Sequence, residues 1–406
     1  MTNPIDKKHI ILGVTGSVAA YKAVEIASKL TQAGALVDVV LTESAERFVT
    51  PIQFQSVTGR TCFTDKDLWG GQAHVLHVGL GRSTDLVLIA PASANTIAKL
   101  ANGIADNLLT VTALAAQCAL VIAPAMDAGM YSHIATQTNL KLLDKRGVYF
   151  IGPVEGRMAS GLVGLGRFVE PAEILSHVRW ILGMKGPLKG KKIVVTAGGT
   201  REPIDPVRII TNRSSGKQGY AVAQAALDAG AQVTLITTCR DNPDPAGVAV
   251  KKADTAAEVE KLVLDNLIGT DALIMVAAVA DFRVAKPAAL KIKKDSTPES
   301  LKLEPTDDIL LKVSEKRIKT HFPKVVIGFA AESENLVKNA MSKLTAKKLD
   351  MIVANDISSK GSGFEVDTNK VTFLTADGKT EPTQLLSKVE IADIIMGKVT
   401  DLLVKK

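Results

Sequence analysis

Gly13-Val14-Thr15-Gly16-Ser17 sets small residues and hydroxyls between an apolar run and an amphipathic one. At a strand-to-helix turn, such a segment offers backbone N–H groups and a helix N-terminus to an anion such as phosphate. Glycine also serves there simply to make the turn, so this segment alone leaves both readings open. The turn is not GxGxxG. The next strand runs into Thr42-Glu43-Ser44-Ala45, with hydroxyls where a ribose-binding carboxylate would stand, which disfavours a nicotinamide-binding domain. Pro91-Ala92-Ser93-Ala94-Asn95-Thr96 gathers hydroxyl and amide side chains after the apolar run 85–90, where open α/β sheets bind ligands. A helix cap accounts for Ser93 but not for the whole hexapeptide. Pro124-Ala125-Met126-Asp127-Ala128-Gly129-Met130-Tyr131 closes another apolar run, and taken singly its methionines read as core filler.

The second half carries its own polar turns. Thr196 to Arg208 (TAGGTREPIDPVR) follows an apolar run, and Thr211 to Gly219 (TNRSSGKQG) opens a helical one. Ser214, Ser215 and Gly216 present hydroxyls and amides to an anion at a helix start. Lys343 and Lys347 are four apart and share a helix face, a spacing that suits a triphosphate but more often solvates a helix. Lys291 sits in LKIKK beside Lys293 and Lys294, where a lysine on a surface strand is the plain alternative.

The elements that must position these residues alternate. Residues 9–14, 35–41, 85–90, 119–123 and 148–151 read as strands; 18–33, 93–103, 133–145 and 172–183 read as helices. Residues 183–190 (GMKGPLKG) break the pattern as a linker, dividing the chain into domains at 1–182 and 191–406. A second series follows: strands 192–197, 232–237, 271–277, 324–330 and 350–354, with helices 216–229, 254–267 and 333–346. Residues 370–375 with the Asp377-Gly378 turn predict a late hairpin, and 384–402 a closing helix. Continuous apolar strands between amphipathic helices define the fold class: α/β, two doubly wound Rossmann-like domains with mostly parallel sheets.

The totals narrow the class of function. A formal charge of +7 over 406 residues, without an arginine-rich block or interleaved aromatics, argues against a nucleic-acid platform and fits small phosphorylated ligands, although a solvated Lys-rich surface accounts for most of the lysines. Cys62, Cys118 and Cys239 are isolated, so neither a disulfide framework nor a zinc site is expected. Met1 to His9 is polar and charged, unlike a signal peptide, and no apolar run reaches the roughly 18 residues of a membrane helix, so a cytoplasmic protein is expected.

Gly16 to Lys22, the PASANT hexapeptide and the PAM-x-x-x-M segment together resemble the homo-oligomeric flavin-containing cysteine decarboxylases, phosphopantothenoylcysteine decarboxylase among them. The resemblance implies a flavodoxin-like flavoprotein half that binds FMN through Gly16, Ser17, Thr42, Ser44, Pro91, Ala92, Ser93, Ala94, Asn95 and Thr96. Met126, Asp127 and Met130 would face substrate. It also implies a catalytic histidine shortly before the strand leading into PASANT. His74 and His77 fall in that window, and His77, between Leu76 and Val78, matches better. An imidazole with a pKa of about 6.5 can take a substrate proton at neutral pH. FMN would oxidise the cysteinyl thiol to a thioaldehyde, carbon dioxide would leave, and the reduced flavin would return its electrons to the enethiol. Two residues depart from the family's pattern. Asp127 stands where Asn is usual, and an ionised Asp only accepts hydrogen bonds. Ser160 stands where many members carry a catalytic Cys, and a hydroxyl is a far poorer acid than a thiol of pKa about 8.5.

TAGGTREPIDPVR, NRSSGKQG, AAVADFR (277–283) and GFAAE (328–332) resemble phosphopantothenate–cysteine ligase, and nearly the whole chain resembles the bacterial bifunctional family that joins the two activities. That implies CTP-dependent activation of 4'-phosphopantothenate as an acyl-cytidylate, displacement of CMP by cysteine, and then decarboxylation to 4'-phosphopantetheine. It assigns Asn212 and Lys291 to catalysis. Arg208, Ser214, Ser215, Gly216, Ala277, Asp281, Phe329, Lys343 and Lys347 go to substrate, with Asp281 also on the Mg²⁺ side. Trimeric flavin domains and dimeric ligase domains are implied as well. The departures at Asp127 and Ser160 keep one alternative open: an active ligase whose flavin half is mainly an oligomerising scaffold.

Overall fold

Strands with no polar alternation must be covered on both faces, and the chain builds two sheets that way. The computed structural model describes residues 3–69, 75–293, 300–332, 334–356, 363 and 366–405. The chain divides into two compact units, Thr2–Leu182 and a second made mainly of Gly183–Lys406.

In the first unit, strands β1 (His9–Val14), β2 (Leu36–Leu41), β3 (Cys62–Thr64), β4 (Leu86–Ala92), β5 (Ala119–Pro124) and β6 (Tyr149–Phe150) are arranged in the order β3-β2-β1-β4-β5-β6. All neighbours are parallel, with Ile10 opposite Val37 on one side and Leu86 on the other. Ile10 to Leu12, Val14 and Leu86 to Ile89 are all buried. This is the Rossmann order, and it corrects the flavodoxin-like expectation, which requires 2-1-3-4-5. Alternation predicts a parallel sheet but not the side of β1 on which each crossover lands. Here helix Pro51–Thr58 and the three-residue β3, both too short to read from periodicity, extend the sheet beyond β2. A hairpin of β7 (Val154–Arg157) and β8 (Val163–Arg167) precedes helix Pro171–Gly183.

The second unit repeats the order. Strands at 249–252, 232–237, 192–197, 272–275, 325–332 and 351–356 run parallel, and the hairpin 371–375/380–382 continues the sheet antiparallel. The late hairpin and closing helix Lys388–Val404 are present as expected. Helix Ile309–Thr320 is an unpredicted element: it supplies the crossover that lets 272–275 and 325–328 pair in parallel. Its start is nonetheless written in the sequence, with Asp308 capping the N–H groups of Leu310 and Leu311. Residues 183–190 belong to this second unit, where the Leu188 N–H donates to the Ala229 carbonyl.

One ionic cluster sits at the start of β1. His9 Nε2 lies 2.5 Å from Asp38 Oδ2, His9 Nδ1 lies 2.9 Å from the Ser83 carbonyl, and Arg60 donates to both Asp38 oxygens. The hydrogen bond to Asp38 raises the His9 pKa above 6.5, although burial opposes it. Burial alone would raise the Asp38 carboxyl, but hydrogen bonds from His9 and Arg60 hold it below the usual range. The stability from His9 is therefore complete below pH 6.5 and lost as pH rises through its raised pKa. That from Asp38 is complete above pH 3.8 and lost on acidification. His9→Gln keeps a donor without titrating, so the variant's thermal midpoint should fall less steeply than the wild type's between pH 6 and 8.5, as read by calorimetry.

Candidate functional sites

In the first unit the ends of β1, β4 and β5 meet at a cavity of about 760 Å³. Thr15, directly after β1, is 1% exposed and ties two loops together. Its hydroxyl donates to the Pro91 carbonyl at 2.8 Å and accepts from the Ser93 N–H at 2.8 Å. Gly16 lies where a Cβ would come within 2.5 Å of Ser44 Cβ. Ser93 caps helix Ala94–Asn102 by accepting from the Thr96 N–H. The β7–β8 hairpin packs on the end of β5. The Met126 N–H donates to the Gly166 carbonyl at 3.1 Å, and a Cβ on Gly166, at φ 153°, would lie 2.4 Å from the Met126 oxygen.

Of the residues expected here, Gly16, Ser17, Ser93, Ala94, Met126, Asp127, Met130 and Ser160 line the cavity together. Pro91 and Ala92 are buried in β4, Thr96 is buried and Asn95 is exposed, so four of the six PASANT residues do not line it. Thr42 is buried with its hydroxyl toward the Val14 carbonyl, and Ser44 is exposed beside Gly16; neither lines the cavity. His77 does not line it either. It is half-buried on helix Leu76–Ser83, and its Nδ1 is buried without a hydrogen-bond partner among the described residues. His74 lies outside the described residues.

Asp127 and Ser160, read from the sequence as departures from the resembled pattern, touch each other. Ser160 Oγ donates to Asp127 Oδ2 at 2.8 Å, while Asp127 Oδ1 accepts from the Gly129 N–H at 3.0 Å. Arg157 and Arg167 also line the cavity. Arg167 and Lys22 share Glu170, at 2.9 and 2.8 Å, and the Lys22 hydrogen bond holds the Glu170 carboxyl below its usual pKa.

In the second unit, two cavities of about 110 and 240 Å³ flank the turn that opens helix Lys217–Asp228. Gly216 adopts φ 75°, and the helix has no side-chain cap, so its first N–H groups keep their capacity for an anion. Ser214 and Ser215 line both cavities, Gly216, Ala277 and Phe329 the smaller, and Asn212 the larger. Asn212 Nδ2 donates to the Ala278 carbonyl at 3.1 Å, which fixes the amide.

The remaining expected residues line neither cavity. Arg208 is held by Asp205 at 2.6 Å and by the Ile292 carbonyl at 3.2 Å, with exposed Lys291 next in the chain. Burial would raise the Asp205 carboxyl, but N–H groups of Val207, Ile292 and Arg208 and the Arg208 guanidinium draw it below its usual pKa. Asp281 is exposed. Lys343 pairs with Glu332 at 2.7 Å and Lys347 with Asp308 at 2.8 Å, each to a different partner element. Among the described residues, no three His, Cys, Asp or Glu side chains gather as a metal site. Sequence reasoning did not single out Lys217, Gln218, Asn355, Asn369 and Lys388, which line the smaller cavity. For Lys388 the only signal was its neighbour: Ser387 and Glu390 form a capping box that fixes where the helix begins.

Two doubly wound units, each with a strand-end cavity, define a two-site α/β enzyme. The flavoprotein family pattern matches residues 2–182, and that of the DNA/pantothenate metabolism flavoprotein C-terminal domain matches residues 188–403. The chain is 42% identical over 401 residues to the coenzyme A biosynthesis bifunctional protein CoaBC of Bacillus subtilis, covering 98% of both. It is 40% identical to that of Vibrio cholerae, covering 96% of this chain and 97% of the relative. Against that of Mycobacterium tuberculosis it is 41% identical, covering 98% and 97%. The chain belongs to the family of bifunctional coenzyme A biosynthesis proteins, which joins a decarboxylase to a ligase. No helix among the described residues is long and apolar enough to cross a membrane.

Close packing at the second site has a direct consequence. A Cβ on Gly219 would come 2.5 Å from Ala197 Cβ and 2.8 Å from the Thr196 carbonyl, so helix Lys217–Asp228 rests on the strand through a glycine. Gly219→Ala should destabilise the second unit by roughly 1–3 kcal/mol and raise the KM values of the ligase reaction. Denaturant unfolding and initial rates would read both effects.

Proposed function

We propose that the second unit uses CTP and Mg²⁺ to activate 4'-phosphopantothenate and joins it to cysteine, and that the first unit, with FMN, decarboxylates the product to 4'-phosphopantetheine. The observation that carries this proposal is the pairing of two different strand-end sites in one chain. One is broad, at about 760 Å³, within the roughly 300–1,000 Å³ of small-molecule sites. The other is narrow and built around an uncapped helix start.

FMN fits the residues of the first cavity. Gly16 and Ser17 give a close backbone approach, Ser93 opens a helix N-terminus, and Met126 and Met130 provide polarizable apolar wall. Bound there, a flavin would supply reversible two-electron redox chemistry at the cysteinyl carbon–sulfur unit. Arg157 and Arg167 attract the anionic substrate. Asp127, its two oxygens engaged by Gly129 and Ser160, fixes the hairpin tip over the reacting group. His77, placed off the cavity of its own chain, would act on a neighbouring copy. That role requires a homo-oligomer, to be checked by light scattering.

In the ligase unit, Asn212 polarises the activated acyl oxygen, and the helix start at Gly216 takes a phosphoryl group. Mg²⁺ would arrive with the nucleotide phosphates, and the exposed Asp281 would offer it a protein-side oxygen. Lys343 and Lys347 would exchange their carboxylate partners for the triphosphate.

Incubating purified chain with 4'-phosphopantothenate, cysteine, CTP and Mg²⁺ should give CMP and 4'-phosphopantetheine by mass spectrometry, from protein with flavin absorbance. Accumulation of 4'-phosphopantothenoylcysteine instead would favour the scaffold alternative. Asp127→Ala should lower carbon dioxide release by about tenfold or more, consistent with loss of a charge-assisted hydrogen bond, while CMP formation stays unchanged.

A further inference from the structure

The smaller ligase cavity has a wall that the recognised motifs do not supply. Lys388, the first residue of helix Lys388–Val404, lines it although only 5% of the residue is exposed. Lys217 lines it too, at the start of helix Lys217–Asp228, and pairs with Asp367 at 2.6 Å. Among the described residues lining this cavity there is no Asp or Glu. Two lysines and an uncapped helix N-terminus therefore converge on one small space whose other polar walls are the neutral Ser214, Ser215, Gln218, Asn355 and Asn369.

Lys388 is held at this position by a buried network. Gln218 Nε2 donates to the Lys388 carbonyl at 3.0 Å, Asn369 Nδ2 donates to Gln218 Oε1 at 3.3 Å, and the Lys388 N–H donates to the Asp367 carbonyl at 2.9 Å. Gln218 and Asn369 are 8% and 4% exposed. The closing helix is thus locked by its first residue against the turn that opens helix Lys217–Asp228.

We propose that Lys388 is a substrate-binding residue of the ligase site, where its ammonium takes a phosphoryl group together with the first N–H groups of helix Lys217–Asp228. This rests on the ligase function proposed above. Burial pushes the Lys388 ammonium below its usual pKa, Lys217 adds to the effect, and Asp367 opposes it. A bound dianion favours the charged ammonium and so acts against burial and Lys217, which makes binding and protonation of Lys388 reinforce each other. The phosphoryl group has two sources, the phosphomonoester of 4'-phosphopantothenate and the triphosphate of CTP. A contact to the phosphomonoester makes Lys388 the residue that selects phosphorylated acid over free pantothenate.

Steady-state kinetics of the full chain separate these. Lys388→Gln should raise one KM about tenfold or more, that for 4'-phosphopantothenate or that for CTP, and leave the other within about twofold. In the first case the preference for 4'-phosphopantothenate over pantothenate falls by the same factor. Lys388→Arg, which keeps the cation, should recover most of the loss. Carbon dioxide release from 4'-phosphopantothenoylcysteine by the first unit serves as the control for intact protein. Both KM values unchanged in Lys388→Gln, or a fall in kcat alone that Arg does not rescue, would overturn the proposal. Should the Gln variant fail to fold, lysine-selective acylation of the wild type decides: 4'-phosphopantothenate or CTP must protect Lys388, and protection by neither overturns the assignment. A wild type that forms no CMP indicts the ligase function itself, whatever Lys388 does.

Discussion

Both sheets reverse their winding between the first strand and the fourth, and the residues of both candidate sites collect where that reversal opens a crevice. A strand with parallel neighbours on either side sends the following helices to opposite faces, so the loops at its carboxyl end must part. What keeps the parted loops in place is a buried threonine at the end of each first strand. Thr15 accepts from the Ser93 N–H and donates to the Pro91 carbonyl. Thr196, fully buried, accepts from the Val276 and Ala277 N–H groups at 3.1 and 3.0 Å. Each hydroxyl accepts from backbone N–H groups of the loops that part there, and an unsatisfied buried group costs about 1–3 kcal/mol. The crevice survives because its edges are tied by side chains rather than by strand pairing.

That arrangement explains what could be read from the sequence. Strands 9–14, 192–197 and 232–237 have the same limits in the structure, because a strand covered on both faces is a continuous apolar run with abrupt polar ends. The turns at their carboxyl ends were legible for the same reason. Sheet order was not: it depends on which way each crossover folds, and the decisive pieces in the first unit are short. Helix Leu76–Ser83 was lost because Gly79 and Gly81 dilute its periodicity, yet Gly81 is there because a Cβ would come within 3.0 Å of Ala115 and Ala116. Packing selected the glycine that propensity reads as a break.

The sites divide along the same line. Residues within one loop, such as Ser214, Ser215 and Gly216, were legible because their spacing and their turn are local. Lys388 was not, since it lies 170 residues from the Gln218 that positions it. Within PASANT the hexapeptide pointed to the strand end where the cavity lies, but position in a motif does not separate lining from support. Ser93 and Ala94 face the cavity; Pro91, Ala92 and Thr96 are buried in the strand and helix that present them.

Asp127 and Ser160 show why residues that look like separate losses need to be weighed together. Taken alone, a carboxylate at 127 repels an anionic substrate, and a hydroxyl at 160 lacks the acidity of a thiol. Joined at 2.8 Å they form a hydroxyl-to-carboxylate hydrogen bond, and the Gly129 N–H occupies the other oxygen. Charge-assisted bonds of this kind are about twice as strong as neutral ones. Two donors draw the carboxylate's charge toward the protein, and the bond pins the hairpin tip to the end of β5. Side chains in direct contact do not contribute independently, so the effect of either residue depends on the other. The pair therefore holds this loop over its cavity as one coupled unit.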